Sequence, residues 1–285
     1  MNEIAQLAAN GLMAGALLAL PALGFNIIFA VLRISNFSIA AIITVGGYAG
    51  LVANTMLKQP IAISIVIAFL VAGIVGVLSD RIALKPLRRY GPISVAIASL
   101  ALNMVLENII RFVFGNDMRA LDVPAERDWL IGGLRIGPQQ FYNFLVATVV
   151  MALLFALLRF TRVGKAMRAV ADNPSLADIK GINPTHVAQL AIFIGAGLAG
   201  MTGILLSLDT AVDPTMGMRL ILSVFAGAVL GGLGSIPGAV AGGLLIGLTE
   251  EMSVMFMPVA YRSAIGFLAI VIALLFFPRG IFGDR

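Results

Sequence analysis

The chain has 285 residues, 60% of them hydrophobic and 12% charged, with a mean hydropathy of +1.03 and a formal net charge of +5. So much apolar side chain cannot be hidden in a water-soluble core of this size, which excludes a soluble globular domain and makes lipid the solvent. The lack of cysteine and the single histidine, His186, exclude a disulfide framework and a thiolate or imidazole metal cluster within the chain.

In chain order, apolar runs occupy about 5–32, 37–56, 61–79, 93–114, 139–158, 187–208, 219–233, 236–257 and 262–278. A bilayer core of about 30 Å takes about 20 helical residues. Continuous rather than alternating apolar character selects helices over a β-barrel. The expected fold is an all-α, polytopic helical membrane protein with eight or nine transmembrane segments, some broken or re-entrant, forming a single transmembrane domain over 1–285. Two places leave the count open: Arg33-Ile-Ser-Asn-Phe37 and the Gly-Leu-Gly-Ser-Ile-Pro-Gly turn at 232–238. The first run follows Glu3 with no Lys or Arg before it, so it lacks the basic start of a signal peptide and reads as a mature span.

The basic residues fall between the runs and read as topology signals, not as a nucleic-acid surface. Arg81, Lys85, Arg88 and Arg89 mark the 80–92 loop as cytoplasmic. Arg159, Arg162, Lys165, Arg168 and Lys180 do the same for 159–186, and Arg279 and Arg285 for the tail. The 115–138 loop mixes Arg119, Arg127 and Arg135 with Asp117, Asp122, Glu126 and Asp128 and belongs outside, as does 209–218 with Asp209 and Asp213. Counting back through nine spans places the N-terminus outside as well. Small residues at four-residue spacing, Gly11/Gly15, Gly227/Gly231 and Gly234/Gly238/Gly242, form stripes for close helix contact.

Polar residues inside apolar runs are the candidate substrate route. Asn26, Asn36 and Phe37 surround the first break, and broken helices are a common way to expose backbone groups to a transport path. Asn103, Glu107 and Arg111 lie at i, i+4 and i+8 in the fourth run, with Glu107 oriented to pair with Arg111. Glu250 and Glu251 have no basic neighbour in sequence and read as either cation ligands or solvated surface carboxylates. Gly164-Lys165 is not a phosphate-binding loop, because Arg159 stands where that pattern needs glycine and Ala166 where it needs Ser or Thr. Nucleotide energy would therefore come from a partner. His186 stands alone at the start of a span and reads as interfacial.

The segment Gly164–Asn183 is a basic island containing its own short helix. Asn173 is a good N-cap, Pro174 suits the first helical position, and Gly181 can take the left-handed conformation that ends a helix. Ser175, Leu176, Ala177 and Asp178 lie between them. A loop that only joined two spans would not need this punctuation, so the coupling loop at about 159–186 reads as a docking surface.

Three stretches resemble the LivH-like permease family of branched-chain amino acid ABC importers. They are Gly-Lys-Ala-Met-Arg-Ala-Val-Ala-Asp from 164 with Gly181-Ile-Asn183, then Asp213-Pro-Thr-Met-Gly217 with the glycine-rich string 228–243, and Phe277-Pro-Arg-Gly-Ile-Phe-Gly283. The resemblance covers about 10–283. It implies a multi-pass permease of the bacterial cytoplasmic (inner) membrane that works by alternating access. A second homologous permease subunit would pair with it, and two cytoplasmic ATPase subunits, which bind ATP and Mg, would dock on Asn173–Lys180. A periplasmic substrate-binding protein would deliver substrate. No cofactor, catalytic residue or metal is expected in this chain. Where the family often has Asn-Phe-Ala-His-Gly, this chain has Asn36-Phe-Ser-Ile-Ala40. The implied substrates therefore widen from branched-chain amino acids to other amino acids, urea or short amides. The alternative is an ion-gradient-driven transporter or channel using Glu107, Glu250 or Glu251.

Overall fold

The computed structural model describes residues 2–123, 127–258, 261–276 and 280–282. Each of the nine apolar runs contains a helix. In order these are α1 (Asn2–Leu32), α2 (Ile39–Leu51), α3 (Ile61–Ser79), α4 (Pro92–Phe114), α5 (Pro138–Phe160), α8 (Pro184–Asp209), α9 (Met216–Gly231), α10 (Ile236–Ser253) and α11 (Arg262–Phe276). Two short helices, α6 (Arg162–Asp172) and α7 (Pro174–Ile179), fill the basic island. Turns of π-helix prolong α2 to Met56 and α3 to Leu84, and a 3-10 segment runs on to Tyr90. Six stretches are long and apolar enough to cross a membrane: Glu3–Leu32, Ile39–Met56, Ile61–Tyr90, Pro92–Phe114, Pro138–Phe160 and Pro184–Asp209. The helices α9, α10 and α11 have 16, 18 and 15 residues. At 1.5 Å per residue they are about 24, 27 and 22 Å long.

The loop expected outside holds one structure that periodicity did not predict. Strands β1 (Trp129–Ile131) and β2 (Leu134–Ile136) pair antiparallel with Leu130 opposite Arg135. Gly132 and Gly133, at φ 59 and 85, form the two-residue turn between them, a backbone conformation that L side chains rarely adopt. The sequence signal was the Gly-Gly pair between short apolar stretches. Glu126 of this loop lies outside the described residues.

Helices α1, α2 and α8 are mostly buried, whereas α3, α4 and α5 turn most of their surface outward. Backbone-to-backbone contact holds the centre. A Cβ added to Gly24 would overlap Gly195, one on Gly46 would overlap Gly200, and one on Gly203 would overlap the Ile43 carbonyl. Without a hydrophobic force between helices in lipid, such close approach is what binds them. The stripes singled out from sequence do the same at the edge of this centre: a Cβ on Gly11 or Gly15 would sit 2.9 Å from the Cα of Leu248 or Leu244 on α10. Gly227 and Gly231 of α9 face Gly243 and Gly238 of α10. Gly234, however, is not part of a helix stripe: at φ 88 it lies in the turn before α10, and a Cβ added there would come no closer than 3.8 Å to its neighbours.

The connections sort into two ends. At one, Gln6 exchanges two hydrogen bonds with the Arg135 backbone (2.7 and 2.8 Å), and Asn54 Oδ1 accepts from Asp122 N–H (2.8 Å). Arg119 there pairs through its backbone with Val212, and Asn143 of α5 donates to Leu205 O (2.8 Å) and Asp209 (3.0 Å) of α8. At the other end, Arg33, α6 and the 233–237 turn surround one cavity. Arg279 and Arg285 of the tail lie outside the described residues. Ile281 and Phe282 N–H groups donate to Leu230 O (2.9 Å) and Gly231 O (3.1 Å), binding this part of the tail to the end of α9.

Replacing Gly46 by Val should force α2 away from α8 and destabilise the fold by about 1–3 kcal/mol or more. The expected result is loss of the monodisperse peak after detergent extraction. Gly137→Ala, where an added Cβ meets only ordinary contacts at 3.7 Å or more, should leave that peak intact.

Candidate functional site

The chain between α1 and α2 is a break inside the bundle rather than a surface loop. Arg33 ends α1 in the left-handed region at φ 53, its N–H donating to Phe29 O at 2.8 Å. Ile34, Asn36 and Ser38 that follow are buried. A helix that starts inside apolar surroundings must satisfy its first N–H groups without water. Here side chains do this. Asn36 Oδ1 accepts from the N–H (3.1 Å) and the Oγ–H (2.6 Å) of Ser38. The Phe37 N–H donates to Ser99 Oγ (3.0 Å) and the Ala41 N–H to Asn103 Oδ1 (2.7 Å). Ser99 and Asn103 share one face of α4 at i, i+4, and Asn103 lies eleven residues from either end of that helix (92 to 103 and 103 to 114). The structure thus brings together Asn36, Phe37 and Asn103 of the sequence candidates, at the middle of a spanning helix.

Asn26 does not join them. Its Nδ2 donates to Gly232 O (3.0 Å) and Ser235 O (2.9 Å), clamping the turn between α9 and α10 onto α1. Ser235 Oγ accepts from Gly238 N–H at 3.2 Å and so caps α10. Between the clamp and the break lies an aromatic cluster. The Phe225 ring of α9 is 5.5 Å from those of both Phe25 and Phe37. The serines at 38 and 99 were missed in the sequence. The available signal was the i, i+4 spacing of Ser99 with Asn103, which puts two cap-forming side chains on one face. Thr44 was missed too; its Oγ1 accepts from the Gly217 N–H (3.2 Å) and ties α2 to the start of α9.

Glu107 lies one turn beyond Asn103 but pairs with Arg111 at 2.5 Å and touches no residue of the break. The two carboxylates of α10 are neither solvated nor free. Glu250 is buried and accepts from Ser223 Oγ at 2.5 Å, and Glu251 forms an ion pair with Arg262 at the start of α11. Sequence distance hid these partners, because α9 and α11 meet α10 only in the folded bundle. The Asp213 motif opens α9: Asp213 Oδ1 accepts from Thr215 N–H (2.8 Å) and Oγ1 (2.6 Å), and the carboxylate pairs with Arg219. Among the described residues there is no group of three or more His, Asp or Glu able to hold a metal.

In the basic island, Asn173 Oδ1 accepts from the Leu176 N–H at 3.0 Å and Pro174 occupies the first helical position of α7. Gly181, at φ 82, turns the chain back, its N–H donating to Asp178 O at 2.9 Å. Only Ala177 of α7 is buried. Ser175 and Asp178 are exposed, and so are the apolar Leu176 and Ile179, at 53% and 81%. His186 is exposed as well, its backbone N–H capped by Asn183. Beside α6, a cavity of about 890 Å³ lies between the end of α1, α6 and the 233–237 turn, with Arg33, Arg168, Asp172 and Phe225 among its walls. The arrangement offers a polar interruption in an apolar bundle and a short, capped helix with exposed apolar side chains.

A model of the family described as branched-chain amino acid transport system / permease component matches residues 7–274. The high-affinity branched-chain amino acid transport system permease protein LivH of Escherichia coli (strain K12) is 28% identical, covering 96% of this chain and 94% of LivH. BraD of Pseudomonas aeruginosa, of the same description, is 30% identical with the same coverage. A probable LivH of Methanocaldococcus jannaschii is 30% identical over 94% of this chain and 89% of its own. Among solved structures, PsaBC from Streptococcus pneumoniae in complex with Fab matches with a TM-score of 0.51 and 12% identity, covering 96% of this chain and 93% of that one. That likeness concerns the fold.

Replacing Asn103 with Leu would leave the Ala41 N–H without its acceptor, at a cost of about 1–3 kcal/mol. Hydrogen exchange across 39–44 should accelerate by about tenfold for each ~1.4 kcal/mol lost. Unchanged protection there would remove Asn103 as the cap of α2.

Proposed function

The chain belongs to the branched-chain amino acid transport system / permease component family, and we propose that it is the membrane-spanning permease of an ATP-driven importer for a branched-chain or related amino acid. The observation that carries this reading is α7, a capped six-residue helix that turns Leu176 and Ile179 to solvent beside the basic loop. Exposed apolar side chains on a short stiff element fit a protein partner that presses on the membrane domain. In this reading the α6–α7 end faces the bacterial cytoplasm and carries two ATPase subunits, which hold ATP and Mg. The hairpin end faces the periplasm and receives a substrate-binding protein. A second homologous permease completes the membrane unit.

The bundle then alternates its opening between the two faces, with Asn36, Phe37 and Asn103 at the narrow middle of the route. ATP binding shifts this equilibrium only by the difference in how tightly the ATPases hold α7 in the two states. Asn26 has a positioning role, holding the 232–235 turn. The gradient-driven reading is weaker, because Glu107, Glu250 and Glu251 are each engaged by a neighbouring side chain.

Purification from the native membrane in mild detergent, with mass spectrometry of the co-purifying chains, tests the assignment. An ATPase and a second permease are the expected companions. Leu176→Asp with Ile179→Asp should abolish ATPase recovery, and Asp178→Arg should uncouple uptake from ATP hydrolysis, both at unchanged membrane abundance. Full uptake and full ATPase recovery in these variants would remove α7 as the docking element.

A further inference from the structure

Helix α4 has two faces of different character. The inner one carries Ser99 and Asn103 to the start of α2. The outer one is uncovered. Met104, Val105, Asn108, Ile109 and Phe112 line an open groove of about 460 Å³, and Phe112 is 92% exposed. The outward rows of α3 (Ile63, Val66, Leu70, Ile74, Leu78) and α11 (Phe267, Leu268, Val271, Ile272, Leu275) are apolar throughout and suit lipid. The α4 groove is different because it contains an amide. Asn108 Nδ2 donates to Met104 O at 2.8 Å, and its Oδ1 has no partner among the described residues. Beside the groove, the Arg111 side chain of the Glu107 pair is 38% exposed.

Asn108 lies five residues beyond Asn103, the midpoint of α4, or about 7.5 Å along the axis, inside a hydrocarbon half-thickness of about 15 Å. Lipid tails have nothing to offer an amide at that depth, whereas a facing helix does, and a lone asparagine among apolar positions is a known device for pairing helices in register. The position also selects the occupant. A soluble ATPase reaches the α6–α7 end and a binding protein the hairpin end. Only a second membrane-embedded chain reaches position 108.

We propose that the outward face of α4 is the seam with the second permease chain, with Asn108 hydrogen-bonding across it to a polar group at the same level of the partner's corresponding helix. This rests on the paired-permease reading above. A two-fold or pseudo-two-fold axis along the membrane normal brings residues of equal depth together, so the groove around Asn108 meets its counterpart rather than a distant part of the partner. The same helix then holds the seam on one face and the break in α2 on the other. A shift between the two permeases would move Ser99 and Asn103 directly.

The exposure of Phe112 makes the test direct. The photoreactive p-benzoylphenylalanine replaces Phe112, or Leu70 on α3 as the lipid-facing control, in the intact complex in native membranes. Irradiation at 112 should give an adduct whose peptides identify a permease chain, either a homologue or a second copy, while position 70 gives none. With Asn108→Leu, recovery of the second permease should fall by about three- to thirtyfold, the range of a helix–helix hydrogen bond in a membrane, and Asn108→Gln should restore most of it. Co-purification of a second permease without any adduct at 112, or with equal adducts at 70, would overturn the seam and leave the permease reading standing. Undiminished recovery with Asn108→Leu would overturn the role of the amide. Recovery of the ATPase with no homologous permease, in a complex whose native mass holds a single copy of this chain, would overturn the seam and the paired-permease reading together.

Discussion

Backbone N–H groups inside a membrane protein need partners that water cannot supply. Most of this chain meets that demand with uninterrupted helices. The exception is the segment 33–38, where α1 has ended and α2 has not begun. Every feature around it answers to the unpaired groups so created: Asn36 folds back on Ser38, and α4 contributes Ser99 and Asn103. The break therefore depends on α4 lying where it does. An isolated α1–α2 unit would have no such acceptors and would be driven to continue as helix or to reach the surface.

The surroundings of the break are of two mechanical kinds. Where glycines meet, at Gly24 with Gly195 and Gly46 with Gly200, the backbones themselves touch and no rotamer change can open a gap. Where side chains fill the space, the Phe25 and Phe37 rings pack against Phe225, which also lines the cavity at the α6–α7 end. Rings can swing about χ1 and χ2 and glycine contacts cannot. The close-packed helices therefore form a fixed frame, and the aromatic cluster and the non-helical segment form the part that can rearrange within it.

Much of this was legible in the sequence, and the limits have a physical pattern. Helix positions followed from apolar run length, and the short helix α7 from Asn173, Pro174 and Gly181, because these signals are local. The break at 33–37 was readable as a polar interruption. What could not be read was which distant groups answer it. Asn26 and Asn36 look alike in a sequence, yet one clamps a turn more than two hundred residues away and the other caps a helix two residues on. Glu250 and Glu251 seemed unpartnered for the same reason. The glycines at 195, 200 and 203 were passed over because their contacts lie on other helices, while Gly11 and Gly15 announced themselves by regular spacing.

The cavity at the α6–α7 end gives this geometry a direction. One of its walls is α6, whose Arg168 donates to Leu158 O at 2.6 Å and so is fastened to the end of α5. Another is the 233–237 turn, fastened to α1 through Asn26. The third is the end of α1 itself, where Arg33 takes a left-handed conformation that ordinary residues avoid. A displacement of α7 reaches α6 first, since only Asn173 separates them. In the importer reading it would then pass from α6 across the cavity to the two elements that flank the start of the break. Among the described residues, no packed side chains fill the cavity of about 890 Å³ beside α6, whereas a close-packed core there would resist its approach. In the importer reading proposed above, the cavity between α6 and the end of α1 would give a push at α7 room to become a change of shape in the middle of the bundle.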